Sequence, residues 1–170
     1  LRRFVLEFDK ELTTIKNSAF HQNPVSQVYF PRTLTTIENA FGGATLTSIT
    51  IPGNVTHIKS GAFRGCARLE SIIIEPGTQP LNFEEESPFY DSDLTFIKID
   101  RNITQIKNNE DLENNISLDY GGLFHQHFSK IKTTVVIGNN VTRINNGMFQ
   151  KLDIWDITIP NSVTSIGEAA

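Results

Sequence analysis

The chain contains little of what disulfide-linked, membrane-spanning or nucleic-acid-binding proteins depend on. It has one cysteine, Cys66, so no disulfide can form within it. No apolar run approaches about 18 residues, so we expect this segment to insert into no membrane. Lys and Arg are scattered and the net charge is −4. Because phosphate binding needs clustered basic residues, we expect no nucleic-acid partner.

Motifs for catalysis and for bound cofactors are also missing. The serines lie outside any Gly-x-Ser-x-Gly elbow, and no glycine-rich phosphate loop is present. His125 and His127 have no Cys or Glu-x-x-His partner nearby, which argues against zinc. The acidic loops lack the residue order of a calcium-binding motif. The sequence therefore predicts no metal, no cofactor and no enzymatic activity.

What the sequence does contain is a repeat of about 22 residues. Residues 47–58, Thr-Ser-Ile-Thr-Ile-Pro-Gly-Asn-Val-Thr-His-Ile, return in similar form at residues 156–166. A first apolar column ends a strand at Phe8, Phe30, Ile51, Ile74, Ile99, Ile137 and Ile159. A second ends a short strand at Ile15, Ile37, Ile58, Ile106, Ile144 and Ile166, with Phe83 as a degenerate member. A phenylalanine closes each unit at Phe20, Phe41, Phe63, Phe89, Phe124 and Phe149.

The chemistry of one unit explains these columns. Ile49 and Ile51 share one face because side chains alternate along a strand. Pro52 has no amide hydrogen and ends the strand, and the next strand closes on a short turn or helical stretch around Phe63. We expect Cys66, at the following corner, to be a buried small residue.

A repeat of this length predicts a solenoid whose units bury their apolar faces against their neighbours. Stacked units would put like strands about 4.8 Å apart, so seven first strands would form a parallel sheet roughly 30 Å long. A threonine column can form a ladder of hydroxyls along the stack, at Thr13, Thr35, Thr56, Thr104, Thr142 and Thr164.

The pattern Leu-x-x-Ile-x-Ile-Pro-x-x-Val-x-x-Ile, followed by Ala-Phe and Gly-Cys, resembles the BspA-like, or bacterial surface-antigen-type, leucine-rich repeats. Segments 46–74 and 152–169 match best, and a looser pattern covers nearly the whole chain. The irregular middle is also similar to secreted or surface proteins of gut Bacteroidetes. The resemblance implies a right-handed, mainly β coil with a parallel sheet and short turns or helical segments. It further implies an extracellular or cell-surface location and adhesion to host proteins, and it brings no catalytic residues.

We interpret residues 1–170 as a single solenoid of about six repeats plus a truncated C-terminal repeat. Residues 167–170 stand where the next closing phenylalanine is due, and we expect that end to lack its natural cap. Two units break the period. One gains residues around Pro76 and Pro80, and the other carries a long inserted loop at 107–122. Such insertions often lie on a functional side, although a tolerated loop without a role is the alternative.

The outward face of the first strands offers the candidate binding residues. One outward row is Val5, Gln27, Ser48, Ser71, Phe96, Thr134 and Asp156. The other is Glu7, Tyr29, Thr50, Ile73, Lys98, Val136 and Thr158. Serine and threonine usually fill a solvated strand face, so the bulkier residues stand out. The ligand-binding candidates are Tyr29, Ile73, Phe96, Lys98 and Val136. Scattered exposed apolar residues are also normal, and an adjoining loop that covers them is a further alternative.

These observations favour a non-enzymatic binding or adhesion module of a secreted or cell-surface bacterial protein. It would recognise a host protein or glycan through the exposed sheet, as a monomer. A second hypothesis is a rigid spacer that displays another domain. A third is a hydrolase that uses loop carboxylates such as Glu85 or Asp111.

Overall fold

The computed structural model describes residues 4–84, 87–106, 123–124 and 131–170, and these contain fourteen β-strands. The first strands of the units are β1 Phe4–Glu7, β3 Val25–Tyr29, β5 Ser48–Ile51, β7 Ser71–Ile74, β9 Phe96–Ile99, β11 Thr133–Ile137 and β13 Ile154–Thr158. The second strands are β2 Thr14–Ile15, β4 Thr36–Ile37, β6 His57–Ile58, β8 Leu81–Glu84, β10 Ile103–Ile106, β12 Arg143–Ile144 and β14 Ser165–Ile166. Two strands in each unit are what the apolar columns predict.

The strands pair as a parallel β-solenoid, which confirms the predicted fold class. First strands pair with first strands in the order β5-β7-β9-β11-β13, and β1 pairs with β3. Second strands pair in the order β2-β4-β6-β8-β10, and β12 pairs with β14. The predicted single sheet of seven first strands is wrong in one respect. Among the described strands the sheet is divided between β3 and β5, and the second sheet is divided between β10 and β12.

The core is a continuous column of apolar side chains inside the coil. The six closing phenylalanines stack ring on ring, with centroids 5.2 to 6.0 Å apart. Phe83 is fully buried and pairs with Ile58 of the preceding second strand. It therefore occupies the second apolar column, as the repeat predicts.

The segments that carry the closing phenylalanines are turns, and the described residues contain no helix. Gly61 and Gly65 lie on either side of Phe63 with φ of 71° and 70°, a left-handed conformation that favours glycine. Ser18 and Gln22 take the same conformation beside Phe20. Two left-handed residues four positions apart tighten the chain into a turn, so the helical alternative is not realised.

Three hydroxyls of the threonine column form a ladder by donating to backbone carbonyls of the preceding unit, whereas Thr142 Oγ1 donates to Asn102 Oδ1 at 3.3 Å. Thr35 Oγ1 donates to Thr13 O at 3.0 Å, and Thr56 Oγ1 donates to Thr35 O at 3.4 Å. Thr164 Oγ1 donates in the same way to Thr142 O at 3.2 Å. Each of these three hydroxyls therefore adds a side-chain hydrogen bond between successive units.

Cys66 is fully buried, and its thiol donates to Phe41 O at 3.1 Å. Burial raises the pKa of Cys66 to about 12. This agrees with the expected buried small residue, since a thiol without thiolate character is a poor nucleophile and a poor metal ligand.

The extra residues around Pro76 lie against a buried arginine, Arg101. Arg101 is 2% exposed and donates to Pro52 O at 3.1 Å and to Gly53 O at 2.9 Å. A Cβ on Gly77 would lie 2.7 Å from the nearer guanidinium nitrogen, so glycine leaves the space that Arg101 occupies. Burial lowers the pKa of Arg101 to about 10, against the opposing effect of Glu75.

Candidate functional site

The strand registers bring four of the five candidate residues together. Ile73 on β7 pairs with Lys98 on β9, and Lys98 pairs with Val136 on β11. Phe96 lies two residues before Lys98 on the same face, because side chains alternate along a strand. Val136 is 37% exposed, and the other three are half-buried. We call Ile73, Phe96, Lys98 and Val136 the middle patch.

Tyr29 does not belong to the middle patch. It lies on β3, and β5 stands between it and β7. Its side chain is 57% exposed. The sequence grouped it with the other candidates because the repeat gives the row of a residue but does not reveal that the sheet divides beside β3.

The division of the sheet opens a cleft at Tyr29. At one end of the cleft, Thr47 N–H donates to Ser26 O at 3.2 Å and links the segment before β5 to β3. Further along, no backbone hydrogen bond joins residues 27–30 to residues 48–51, all of which the structure describes. The space between has a volume of about 300 Å³. Its polar lining consists of Gln27, Tyr29, Arg32, Ser48, Thr50 and Glu75, and we call it the β3–β5 cleft.

An ion pair stands at this cleft. Arg32 Nη1 lies 3.7 Å from Glu75 Oε2, with the arginine side chain 79% and the glutamate side chain 32% exposed. A second hollow of about 480 Å³ adjoins the cleft and is lined by Glu7 and Lys10 as well as by Tyr29 and Arg32. Tyr29 and Arg32 therefore take part in both hollows.

Trp155 is a surface residue that the repeat pattern did not single out. Its neighbours Ile154 and Asp156 pair with consecutive residues of β11, so Trp155 is the extra residue of a β-bulge. It is 68% exposed, and Lys132 Nζ lies 3.8 Å from its ring centroid. Its size is the sequence feature that could have identified it, because the equivalent position in an inner unit holds the smaller residue Thr47.

Metal and catalytic candidates receive no support from the described ranges. Within them no group of three or more His, Cys, Asp and Glu side chains could hold a metal ion. His125, His127, Glu85 and Asp111 lie outside the described residues, as does the inserted loop at 107–122. Across the part of the chain that is described, no helix has the length and apolar character needed to cross a membrane.

The repeat itself decides the family. The model of the BspA type leucine-rich repeat region matches the chain in six copies, over residues 5–118 and 122–170. The chain belongs to the BspA-type leucine-rich repeat family. The resemblance drawn from the Ile-Pro, Ala-Phe and Gly-Cys positions is thereby confirmed.

Two solved structures resemble this BspA-type chain. The crystal structure of the pneumococcal vaccine antigen PcpA matches 96% of this chain and 58% of that chain, with a TM-score of 0.56 and 14% identity. A leucine-rich repeat protein from Bacteroides ovatus matches 98% of this chain and 63% of that chain, with a TM-score of 0.33 and 16% identity. No curated protein matches the chain.

The chain thus spans less than two thirds of either solved chain. At this identity the likeness to PcpA shows the fold alone. Together with the family, it makes the chain a BspA-type repeat module that resembles an antigen in fold, consistent with a non-enzymatic role.

Proposed function

We propose that this chain is a non-enzymatic binding module of a secreted or cell-surface bacterial protein. It recognises a host protein or glycan through the outward face of the first sheet. The observation that carries the proposal is the middle patch, which gathers apolar side chains around Lys98 on three adjacent strands. For this patch a protein ligand is favoured.

The chemistry of the middle patch supports a protein ligand. Aromatic and aliphatic side chains at the centre of a surface supply most of the binding energy in protein interfaces. The patch lies on a paired sheet with buried neighbours such as Ile72 and Ile97, so little backbone freedom is lost on binding. Lys98 adds a positive charge that favours an acidic group on the ligand.

The secreted or surface location is supported by family and by fold. The chain is a BspA-type repeat, and PcpA, which shares its fold, is described as a vaccine antigen. An antigen exposed to a host immune system is the kind of protein in which such a module would meet host ligands.

The test is a binding screen of the chain against immobilised extracellular-matrix proteins from which the glycans have been removed, with Phe96→Ala and Tyr29→Ala measured beside the parent. We expect a saturable protein ligand whose affinity falls by about tenfold or more in Phe96→Ala, since a buried aromatic contact contributes at least about 1.4 kcal/mol. Tyr29→Ala is the matched control, because it removes an exposed aromatic ring from the same face outside the patch.

Equal affinity of the parent and Phe96→Ala for every protein ligand found would contradict recognition by the middle patch. Circular dichroism of each variant confirms that the fold survives. The change at Phe96 is at a half-buried position outside the core, so we expect an unchanged spectrum.

A spacer that displays another domain is the second candidate function. The phenylalanine stack from Phe20 to Phe149 favours it, because six rings in contact stiffen the coil along its axis. A spacer binds none of the screened proteins, so a folded chain without any ligand would support this candidate.

A further inference from the structure

We infer that the β3–β5 cleft is a carbohydrate site in which Tyr29 stacks on a neutral pyranose ring of a glycan. The site is separate from the middle patch. The inference rests on the proposed role as a binding module and assigns the recognition of glycans to residues of its own.

The shape of the β3–β5 cleft favours a compact ring over an extended peptide. Thr47 N–H and Thr47 Oγ1 both reach Ser26 O, at 3.2 and 3.4 Å, and close one end of the division. An added strand needs about 4.8 Å on each side along its whole length, and this closure leaves no such space. A volume of about 300 Å³ is at the lower end of the range for small-ligand sites.

The apolar surfaces suit the C–H face of a sugar ring. Tyr29 presents more than half of its side chain to solvent at the cleft. Val28 and Ile49 line the same space and are almost fully buried, at 6% and 2% exposure. The C–H face of a chair-shaped sugar ring can therefore stack on the Tyr29 ring, a contact that orients ring-shaped ligands.

The polar lining suits hydroxyl groups. Gln27, Ser48 and Thr50 each carry both a donor and an acceptor. Arg32 offers only donors and Glu75 offers only acceptors, and they stand 3.7 Å apart. A sugar hydroxyl both donates and accepts, so adjacent hydroxyls of one ring can satisfy this pair together.

The charges around the cleft favour a ligand without charge. Arg32 is paired with Glu75, and the adjoining hollow adds one cation, Lys10, and one anion, Glu7. Arg101 is buried behind this surface, and its guanidinium already donates to the carbonyls of Pro52 and Gly53. The two cations and two anions at the mouth of the cleft therefore sum to no net charge, and the buried Arg101 also faces Glu75.

The second hollow extends the site beyond one ring. It shares Tyr29, Phe30 and Arg32 with the cleft and lies on the β1 side of them. A ring bound on each side of Tyr29 corresponds to neighbouring units of an oligosaccharide, so chains of two or three sugars should bind better than single sugars.

The test is saturation-transfer NMR followed by titration of the whole chain with maltotriose, cellotriose, mannotriose and N-acetyllactosamine. Sialyllactose and a galacturonate trimer serve as acidic probes. We expect at least one neutral probe to bind with a Kd of about 1 mM or below, the range of a few hydrogen bonds and one stacked ring. Neither acidic probe should bind more tightly.

Three variants locate the site. Tyr29→Ala should weaken binding by about tenfold or more, and Tyr29→Phe by less than about threefold because it keeps the stacking ring. Phe96→Ala, in the middle patch, should leave the Kd unchanged. Tyr29 is exposed, so these variants test the site without disturbing the core.

Three results would overturn the inference: no neutral probe bound at about 10 mM, preference for the acidic probes, or undiminished binding by Tyr29→Ala. The outcomes separate the two proposals. A protein ligand that depends on Phe96, without any sugar binding, would refute the carbohydrate site and leave the binding module standing. Sugar binding that depends on Tyr29, without any protein ligand, would support the carbohydrate site and refute recognition by the middle patch.

Discussion

Two regions of the chain have nearly the same sequence and very different surroundings. The unit that begins at β5 buries Ile51 and Ile58 completely. In the unit that begins at β13, the equivalent residues Ile159 and Ile166 are 44% and 57% exposed. The two units differ because a following unit packs on the unit of β5, whereas none packs on the unit of β13 within the described structure. In this fold the apolar pattern marks which residues can be buried, and the next unit decides whether they are.

The same comparison explains a difference in the sequences themselves. Gly53 follows Pro52 in the inner unit, whereas Asn161 follows Pro160 in the last one. A Cβ on Gly53 would overlap the carbonyl oxygen of Pro76, which belongs to the next unit. Asn161 is exposed and meets no such neighbour. Glycine is required at position 53 because the Pro76 corner lies against it, and Asn139 at the equivalent position of another inner unit shows that a following unit alone does not demand glycine.

The largest effect should come from the paired changes Ile58→Ala and Ile166→Ala. Ile58→Ala should lower the free energy of unfolding by about 2–5 kcal/mol, because it removes a fully buried side chain and leaves a cavity. Ile166→Ala should cost less than about 1 kcal/mol, because over half of that side chain is already in water. Urea unfolding followed by circular dichroism measures both. Equal losses would mean that the exposed end is covered in solution.

An intermediate effect is expected from Gly53→Ala. The added methyl group must displace the Pro76 carbonyl, so the free energy of unfolding should fall by about 1–3 kcal/mol. Asn161→Ala is the matched control and should change it by less than about 0.5 kcal/mol. If both variants have the same urea midpoint of unfolding as the parent, Gly53 and the Pro76 carbonyl are not in close contact in solution.

The smallest perturbation compares two thiols in one chain. In the variant Ile166→Cys the new thiol is at an exposed position, while Cys66 stays buried with a pKa raised from 9.0 to about 12. Near pH 8 the thiolate fraction of Cys66 should be roughly a thousandfold lower than that of an ordinary thiol. Reaction with an aromatic disulfide reagent should therefore show one fast and one very slow phase. The slow phase should accelerate as pH rises toward 12. A single fast phase that accounts for both thiols would contradict the burial of Cys66.

The columns of the repeat could be predicted because they follow from local rules. Strand alternation puts Ile49 and Ile51 on one face, and the identical spacing in each unit carries that assignment through the chain. Phe83 followed the same rule, since a large apolar residue at the right spacing occupies the column even in an irregular unit. The outward row of Ile73, Lys98 and Val136 was predicted in the same way.

What could not be predicted depends on contacts between units. The division between β3 and β5 separates Tyr29 from the middle patch, although the 21 residues from Phe30 to Ile51 differ by only one from the 22 between Phe8 and Phe30. The bulge at Trp155 changes the pairing of β11 with β13 without any added residue in the repeat. Nor does any pattern in the sequence reveal that Arg101 reaches Pro52, since a buried cation with carbonyl partners has no periodic signature.

Arg101 has a consequence for how the molecule unfolds. In an ideal solenoid each unit contacts only its neighbours, so stability is a sum of nearest-neighbour terms and the chain can open one unit at a time. Arg101, beyond β9, is bonded to carbonyls beyond β5, and the unit of β7 lies between them. Opening any one of these three units exposes the buried guanidinium or leaves it without partners. The segment from β5 to β9 therefore behaves as one cooperative block.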